Sequence, residues 1–565
     1  MKQESSNTQR PRGLWRALAL LLVCALLVAA CGQQQLVQRG EPTPQAEPTQ
    51  PSSEEPKPQE VSYFVPNQIV LSGPSGQLNE VIGAAAKILG EADPKISFAR
   101  VSVATLDELA QLGAANCSLL PTLQEQRYAV VQYQVTSPAR LPLAQITQAI
   151  EKARQGMPGV AQELNWLTGA PPQTIAGNPW GPEGSPWGPE GSPWGPEGSP
   201  WGPEGSPWGP EGSPWGPEGS RSGTEVLGVG GTAFRTQWAF GARSGIDALA
   251  ARQPTAQEAG GKGVLVGVFD TSPFPPSMTA TTFVMAPNEQ PWTLNLVHPI
   301  PGGRPAGSTK MNVPNHGLFA AGLIHAVAPQ SSIELIRVLD DTGQGDMQTL
   351  NRALIAFIQR AASSPDTRSA VINLSLGLHL LPEEATQDLP ADVQSLRTIL
   401  QVATECYPIV VAAASGNDSA GPEPASQANI PAIWGMDPTY PGNAQLIAVA
   451  ASNQAKMQSC FSNDGEVAAP GGDGGRAAGE CIQVITECKD DCPYGLLSLS
   501  ISSPSGYTYW NGTSFAAPLV SGQAALLLGN GLAAPNVEAC ILSTATPGNP
   551  ISVANVQQSL ASCRP

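Results

Sequence analysis

The chain has 565 residues and a formal net charge of -17, and Gly (59) and Pro (56) together make about a fifth of it. It is too long for one ordinary domain of roughly 100–200 residues, and too acidic for a nucleic-acid partner, because phosphate binding needs a basic surface. A hydrophobic content of 41% excludes a chain that is disordered throughout.

Residues 1–31 have the pattern of an export signal. Basic residues precede an apolar stretch over 17–28, which is too short to span a membrane comfortably. Two alanines stand directly before Cys31, which resembles the lipobox of bacterial lipoproteins and predicts that Cys31 is lipidated. A plain secretory signal is the alternative. Both interpretations predict export, and lipidation would anchor the precursor to the outer face of the bacterial cell envelope.

Residues 32–60 are rich in Pro, Glu and Gln and contain almost nothing to bury. That composition predicts a disordered tether, because such a chain cannot gain enough from burial to offset the entropy of ordering. Its predicted role is to hold the following domain away from the membrane.

Residues 61–170 have the composition of a small globular domain. Strands are predicted over 65–71 and 128–135, and the apolar spacing predicts helices over 78–89 and 143–153. The order strand, helix, strand, strand, helix, strand predicts a small α+β domain of the ferredoxin-like type.

Residues 171–232 are predicted to be a linker, with six tandem copies of the heptapeptide PWGPEGS over 179–220. Two Pro and two Gly in every seven residues exclude a coiled coil, since Pro removes a helix donor and clashes with the preceding turn. The favoured interpretation is a long flexible joint. The alternative is a Trp-rich contact surface for a glycan or a partner domain, because exposed Trp is costly without a use.

Residues 233–565 alternate strongly apolar runs with helical patterns. This predicts a doubly wound, mainly parallel sheet with helices on both faces. The predicted strands are 264–269, 333–338, 371–374, 408–413 and 446–450. In open sheets of this class the functional site lies at the carboxyl ends of the strands.

Four short segments place polar residues at predicted strand ends or helix starts. They are GKGVLVGVFDT (261–271), NHGLFAAG (315–322), AASGND (413–418) and NGTSFAAP (511–518). In chain order they supply Asp270, His316, Asn417 and Ser514. A lone Asp, His or Ser in such a place is usually structural, but four of them in this order point to a hydrolytic site.

These segments resemble the subtilisin-type serine peptidases, or subtilases, whose catalytic residues run Asp, His, Ser along the chain. The resemblance covers about 233–565, with the lead-in TQWA (236–239), and implies a subtilisin-like α/β catalytic domain. Residues 61–170 resemble an inhibitor-type propeptide. Together these resemblances imply a serine endopeptidase for protein or peptide substrates, made as a zymogen that its own propeptide inhibits.

The resemblance assigns each residue a role. Asp270, His316 and Ser514 would form the triad, in which the carboxylate orients the imidazole and the imidazole takes the Ser proton. The Asn417 amide and the Ser514 N–H would stabilise the oxyanion. No cofactor is needed for this chemistry, and structural calcium stays open because no Asp-rich loop has a recognisable spacing.

Three consecutive residues after the strand at 371–374 resemble the family's substrate-binding edge, where the enzyme's backbone pairs with an extended peptide. They are Ser375, Leu376 and Gly377. The chain departs from the family pattern at 272–273 and at 318–319, where Ser-Pro and Leu-Phe stand. Neither departure removes a catalytic group, so we expect altered packing and substrate preference.

Two alternatives use the same fold. One is a catalytically silent binding protein that uses the Trp-rich repeat as its contact surface. The other is an esterase acting through the same triad, which the peptide-binding edge makes less favoured.

The chain has ten cysteines, seven of them within 233–565. In an exported protein we expect disulfides rather than a zinc site, because the spacing around Cys488 is irregular and no His is near. Seven is odd, so at least one of these cysteines is free or pairs outside the block. Pairing with Cys117 would keep the propeptide attached after cleavage. Otherwise a cut between about 168 and 235 would release the enzyme from its anchor.

Overall fold

The structure is a computed structural model that describes part of the chain. The described residues are 64–106, 109, 117–157, 159–169, 225–226, 234, 236–240, 260–285, 291–298, 313–341, 343–378, 393–419, 425–472, 495–503 and 505–564. They fall within one compact unit, 61–565. The predicted export signal with Cys31, the predicted tether at 32–60 and the repeats at 179–220 lie outside the described residues. Within the described ranges no helix has the length and apolar content needed to cross a bilayer.

The N-terminal body comprises residues 64–169. Its elements are β1 (Phe64–Pro74), α1 (Ser75–Leu89), β2 (Ser97–Thr105), α2 (Leu119–Glu125), β3 (Tyr128–Thr136), α3 (Leu143–Arg154) and β4 (Ala161–Gly169). The strands lie in the order β4-β1-β3-β2, and every neighbouring pair is antiparallel. Leu78 of α1 and Ile146 of α3 pack with Leu71 of β1, so both helices bury their apolar stripe against the sheet.

The C-terminal body comprises residues 225–564. Its elements are β5 (Glu225–Val226), β6 (Val264–Asp270), β7 (Ala280–Val284), β8 (Trp292–Val297), α4 (His316–Val327), β9 (Ser332–Arg337), β10 (Gln344–Asp346), α5 (Met347–Ser363), β11 (Ser369–Leu374), α6 (Gln394–Cys406), β12 (Ile409–Ala414), β13 (Leu446–Ser452), β14 (Val467–Pro470), β15 (Leu496–Leu499), β16 (Tyr507–Trp510), α7 (Thr513–Gly529), α8 (Val537–Thr544) and α9 (Val556–Ser562). The five strands predicted from the sequence correspond to β6, β9, β11, β12 and β13, with ends that differ by at most two residues.

Nine strands form the main sheet, in the order β14-β13-β12-β11-β6-β9-β8-β7-β5. All neighbouring pairs are parallel except β7 with β8. The helices α4 and α7 cover one face and α5 and α6 cover the other. Central strands buried on both faces explain the continuous apolar runs in the sequence. The predicted mainly parallel α/β sheet is therefore confirmed.

The two bodies share a strand pairing and an apolar core. The three residues of β10 pair antiparallel with the end of β4, and Gln344, Gly345 and Asp346 stand opposite Gly169, Thr168 and Leu167. One buried cluster contains Leu106 and Leu120 from the N-terminal body together with residues of α5 and α6. The sequence did not predict β10, because a strand of three residues leaves no periodic signal.

Two disulfides join described cysteines, as expected for an exported chain. One links Cys540 to Cys563, and the other links Cys117 to Cys406 across the two bodies. A cysteine of the C-terminal body therefore does pair outside it. The irregularly spaced cysteines at 481, 488 and 492 lie outside the described residues.

Candidate active site

Asp270 ends a central strand of the main sheet. It is the last residue of β6, and its backbone oxygen accepts from the N–H groups of Val338 and Leu339, at 2.9 and 3.2 Å. Its carboxylate is fully buried, and the Thr271 N–H donates to Oδ1 at 2.6 Å. The fold thus fixes a carboxylate at the carboxyl edge of the sheet, where the sequence predicted the site.

His316 is the first residue of α4 and is in contact with Asp270. Its Nδ1 lies 2.9 Å from both carboxylate oxygens, and only 6% of the residue is exposed. A proton on Nδ1 satisfies this contact and leaves Nε2 as the acceptor. The helix can approach so closely because residue 317 is Gly: a Cβ there would lie 2.3 Å from the Thr271 backbone oxygen and 2.7 Å from the Asp270 Cβ.

The Thr271 side chain forms hydrogen bonds with the backbone on both sides of His316. Its hydroxyl lies 3.0 Å from the backbone oxygens of Val313 and Pro314, and it accepts from the Gly317 N–H at 3.2 Å. This side chain therefore ties the segment before α4 to the end of β6. The sequence drew attention to the Asp-Thr pair but gave no role to the Thr.

Ser514 lies in the first turn of α7 and is fully buried. The helix follows Gly512, whose φ of 150° belongs to the region that favours glycine. Ser514 Oγ donates to the Ser375 backbone oxygen at 3.0 Å, and Ser375 Oγ donates to the Ser514 backbone oxygen at 2.7 Å. His316 Nε2 is buried and has no hydrogen-bond partner among the described residues. The Asp–His contact is thus formed, while the Ser hydroxyl is turned toward Ser375.

Asn417 follows β12 and is bonded to the start of α7. Its Oδ1 accepts from the Thr513 N–H at 3.0 Å and from the Thr513 hydroxyl at 2.9 Å. The Thr513 hydroxyl in turn accepts from the Gly416 N–H at 3.2 Å. These bonds fix the plane of the Asn417 amide. Because Oδ1 faces Thr513, the Nδ2 donor points away from Thr513. An oriented donor beside a helix N-terminus suits the stabilisation of developing negative charge.

A buried hydrogen-bond relay, formed by Ser521, Asn373 and Ser375, supports Ser514 from behind. Ser521 Oγ donates to Asn373 Oδ1, and Asn373 Nδ2 donates to Ser375 Oγ, both at 2.9 Å. All three relay residues are at most 1% exposed. Sequence reasoning missed Asn373, although a lone Asn inside an apolar strand was a signal that could have found it.

Two aromatic rings contact His316, and a third packs against both of them. The His316 ring centroid lies 5.0 Å from that of Phe515 and 5.8 Å from that of Trp510. Phe319 packs against the same two rings, at 4.5 Å from Phe515 and 5.2 Å from Trp510. Phe319, one of the departures from the family pattern, therefore belongs to a packed apolar wall and displaces no polar group of the site.

The predicted substrate-binding residues Ser375, Leu376 and Gly377 directly follow β11 and are buried. The next residue, Leu378, donates its N–H to the Ile430 backbone oxygen at 2.8 Å. β10 comes after β9 at the same carboxyl edge of the sheet. The segment 375–377 and β10 therefore both border this edge of the sheet, and the end of β4 is paired with β10.

The lead-in segment is fixed to the C-terminal body. Gln237 Nε2 donates to the Leu497 backbone oxygen at 2.8 Å, and Gln237 Oε1 accepts from the Leu497 N–H at 2.9 Å. Trp238 Nε1 donates to the Gly495 oxygen at 2.8 Å. The Gln237 amide thus bonds to the Leu497 backbone as a neighbouring strand would. These bonds join residues 236–238 to β15.

Metal ligands in proteins are mainly acidic, Cys and His side chains. Within the described ranges no group of three or more such side chains is arranged to hold an ion. Asp340 instead organises a turn: its Oδ1 accepts from the Gln344 N–H at 3.0 Å, and its backbone oxygen accepts from the Gly343 N–H at 2.9 Å.

Comparison with known proteins gives a consistent result. The sequence profile described as the Subtilase family matches residues 261–559. A subtilisin of Bacillus pumilus is 32% identical over 227 residues, which are 38% of this chain and 63% of that protein. Subtilisin NAT of Bacillus subtilis subsp. natto is 31% identical over 224 residues, 38% of this chain and 45% of that protein. Thermitase of Thermoactinomyces vulgaris is 29% identical over 251 residues, 42% of this chain and 70% of that protein.

Each match covers only part of this chain. The chain spans about half the length of Subtilisin NAT, one of the curated relatives it matches. Among solved structures, a cold-adapted subtilisin-like serine proteinase aligns with a TM-score of 0.34 at 20% identity, over 54% of this chain and 90% of that one.

Proposed function

This chain belongs to the subtilase family, and we propose on that premise that it is an exported serine endopeptidase that hydrolyses peptide bonds. The observation that carries the proposal is the contact of His316 Nδ1 with both Asp270 oxygens at 2.9 Å, beside a buried Ser514 at a helix start. An acid, an imidazole and a hydroxyl in this arrangement are what acyl transfer requires.

The reaction begins when Ser514 Oγ turns from the Ser375 oxygen toward His316 Nε2. Oγ attacks the scissile carbonyl, His316 takes the hydroxyl proton, and Asp270 stabilises the imidazolium that forms. The Asn417 Nδ2 and the Ser514 N–H donate to the oxyanion. His316 then returns the proton to the leaving amine, and a water molecule hydrolyses the acyl-enzyme by the same route.

The N-terminal body acts as the inhibitor of this site. The last three residues of its β4, 167–169, are already paired antiparallel with β10. Main-chain pairing of this kind is how an extended peptide binds an exposed strand edge. A substrate strand would have to displace β4 from β10, so we infer that the precursor is a zymogen.

The precursor is held at the membrane through lipidated Cys31, and its substrates are proteins or peptides. Intact mass and N-terminal sequencing would report lipidation and the position of the cut. Cys31→Ser should move the precursor from the detergent phase to the aqueous phase. An unchanged distribution would contradict the anchor without affecting the catalytic proposal.

The experiment that tests the activity is labelling with a fluorophosphonate probe after the linker has been cut and the Cys117–Cys406 disulfide has been reduced. We expect labelling and peptide hydrolysis in the wild type and neither in Ser514→Ala. No labelling of the cut, reduced and folded wild type would favour the silent binding protein instead. Ester hydrolysis without peptide hydrolysis would favour the esterase.

A further inference from the structure

The N-terminal body is joined covalently to the C-terminal body at two places. The first connection is the chain itself: β4 ends at Gly169 and β5 of the C-terminal body begins at Glu225, so 170–224 is the joining segment. The second is the Cys117–Cys406 disulfide, whose cysteines are 289 residues apart. Cutting the joining segment therefore leaves one covalent connection in place.

The disulfide lies inside a close contact between the two bodies. Cys406 is the last residue of α6, and the next residue, Tyr407, donates its hydroxyl to the Leu109 backbone oxygen at 2.7 Å. Gln348 Nε2 of α5 donates to Ser102 Oγ at 3.1 Å. Burial raises the pKa of the Tyr407 hydroxyl, which keeps it a donor at neutral pH.

The apolar surroundings strengthen this contact. Cys117 is 8% exposed and belongs to the same buried cluster as Leu109 and Leu120 of the N-terminal body and Leu396 of α6. Side chains from both bodies thus lie around the bond, in which Cys406 is partly exposed.

We propose that the Cys117–Cys406 disulfide retains the inhibitor body after the joining segment is cut, and that its release requires a two-electron reduction by a dithiol. This inference rests on the proposed protease function and adds a second condition for activity. Within one covalent molecule a detached β4 stays at an effective concentration on the order of millimolar, so it pairs again with β10. Cleavage alone therefore leaves the site inhibited.

The reduction is a thiol–disulfide exchange. A thiolate of the dithiol attacks one sulfur of the bond and forms a mixed disulfide, and the other cysteine leaves as a thiolate. The second thiol of the reductant then displaces the attached cysteine. The products are two protein thiols and one oxidised dithiol, so two electrons and two protons have passed to the protein.

The first arm of the test does not depend on activity. The full chain carrying Ser514→Ala receives a recognition sequence for a site-specific protease within 179–220 and is cut there. We expect one species on a denaturing gel without reductant and two after dithiothreitol. Cys117→Ser and, independently, Cys406→Ser in the same background should give two species without reductant. Separation of the cut parent without reductant would overturn the inference.

The second arm measures hydrolysis of a fluorogenic peptide by the same cut chain with Ser514 intact. We expect the rate to rise roughly 10²-fold with dithiothreitol, a gain typical of losing an intramolecular partner. Cys117→Ser should show the high rate without reductant, and the Cys540→Ala/Cys563→Ala variant should still need dithiothreitol to reach that rate.

Without reductant, a rate in cut Cys117→Ser as low as that of the cut parent, with hydrolysis restored by dithiothreitol, would contradict the inference. No hydrolysis in any variant would instead refute the protease, while the gel arm still decides whether the bodies stay joined.

Discussion

Ser375 and Ser514 exchange hydrogen bonds: each hydroxyl donates to the other's backbone oxygen, at 2.7 and 3.0 Å. The Ser514 hydroxyl, which we propose as the nucleophile, is therefore positioned by Ser375, the first residue of the predicted substrate-binding edge. Asn373 holds the Ser375 hydroxyl from the other side, at 2.9 Å. Ser375 is in this sense a positioning residue for Ser514.

Ser375→Ala should lower kcat about tenfold, with KM little changed, which corresponds to a loss of about 1.4 kcal/mol in the transition state. The Ser514 oxygen and the Asn373 amide lose their partner, and such an unsatisfied buried group costs about 1–3 kcal/mol of stability. Steady-state kinetics and thermal melting measure both effects. Ser521→Ala, at the far end of the relay, is the matched control and should lower Tm without the kcat loss. Equal kcat losses in both variants would contradict a specific positioning role for Ser375.

Asn417→Ala should lower kcat by about 10²–10³-fold, the loss seen when one oxyanion donor is removed from a subtilisin. Asn417→Asp keeps an acceptor for Thr513 but replaces the donor with a carboxylate, so it should be at least as inactive. Thr513→Val keeps the donor and removes one of the bonds that orient it. An intermediate kcat is expected for Thr513→Val, and a wild-type kcat there would contradict the orienting role.

Gly317→Ala should abolish measurable activity and lower Tm, because the new Cβ would lie 2.3 Å from the Thr271 backbone oxygen. The start of α4 would have to move, and His316 would move with it away from Asp270. Gly83→Ala in α1 is the control, since a Cβ there has no neighbour within 4 Å. It should raise stability by about 0.4–1 kcal/mol through the unfolded chain. Full activity in Gly317→Ala would contradict the close packing of α4 on β6.

Glu538→Gln should stabilise the protein increasingly as pH rises. Burial first, and the nearby Glu466 carboxylate second, raise the pKa of Glu538 to about 8 from the ordinary 4.5. A raised carboxyl pKa means that the folded state keeps a proton that the unfolded state loses, so wild-type stability falls as pH rises through that interval. The Tm difference between variant and wild type should grow from about pH 5 to pH 8 and then level off.

Glu466→Gln separates the two causes of this shift. It removes the neighbouring charge but leaves Glu538 buried, so the pH-dependent loss of stability should become smaller and remain present. Thermal melting from pH 5 to pH 9 measures both variants. A Tm difference for Glu538→Gln that is constant over that range would refute the raised pKa.

The sequence predicted the parts of the site that local patterns encode. Asp270, His316 and Ser514 each stand at a strand end or helix start within a short recognisable segment, and the parallel topology brings those ends to one edge. Asn373 is marked locally only as a lone Asn inside an apolar strand, and its bond to Ser521 spans 148 residues, so the sequence does not reveal its role. Thr513 likewise acquires its role from Asn417, 96 residues away. The pairing of β10 with β4 and of Cys117 with Cys406 is also long-range, and spacing alone cannot select such partners.

The apolar cluster shared by the two bodies has a calorimetric consequence. Leu106 and Leu120 are buried against α5 and α6, so neither body can unfold without exposing hydrocarbon of the other to water. Residues 61–565 should then absorb heat in a single transition, with equal van't Hoff and calorimetric enthalpies. The cooperative unit of unfolding is then larger than either segment that the sequence composition distinguishes, 61–170 or 233–565.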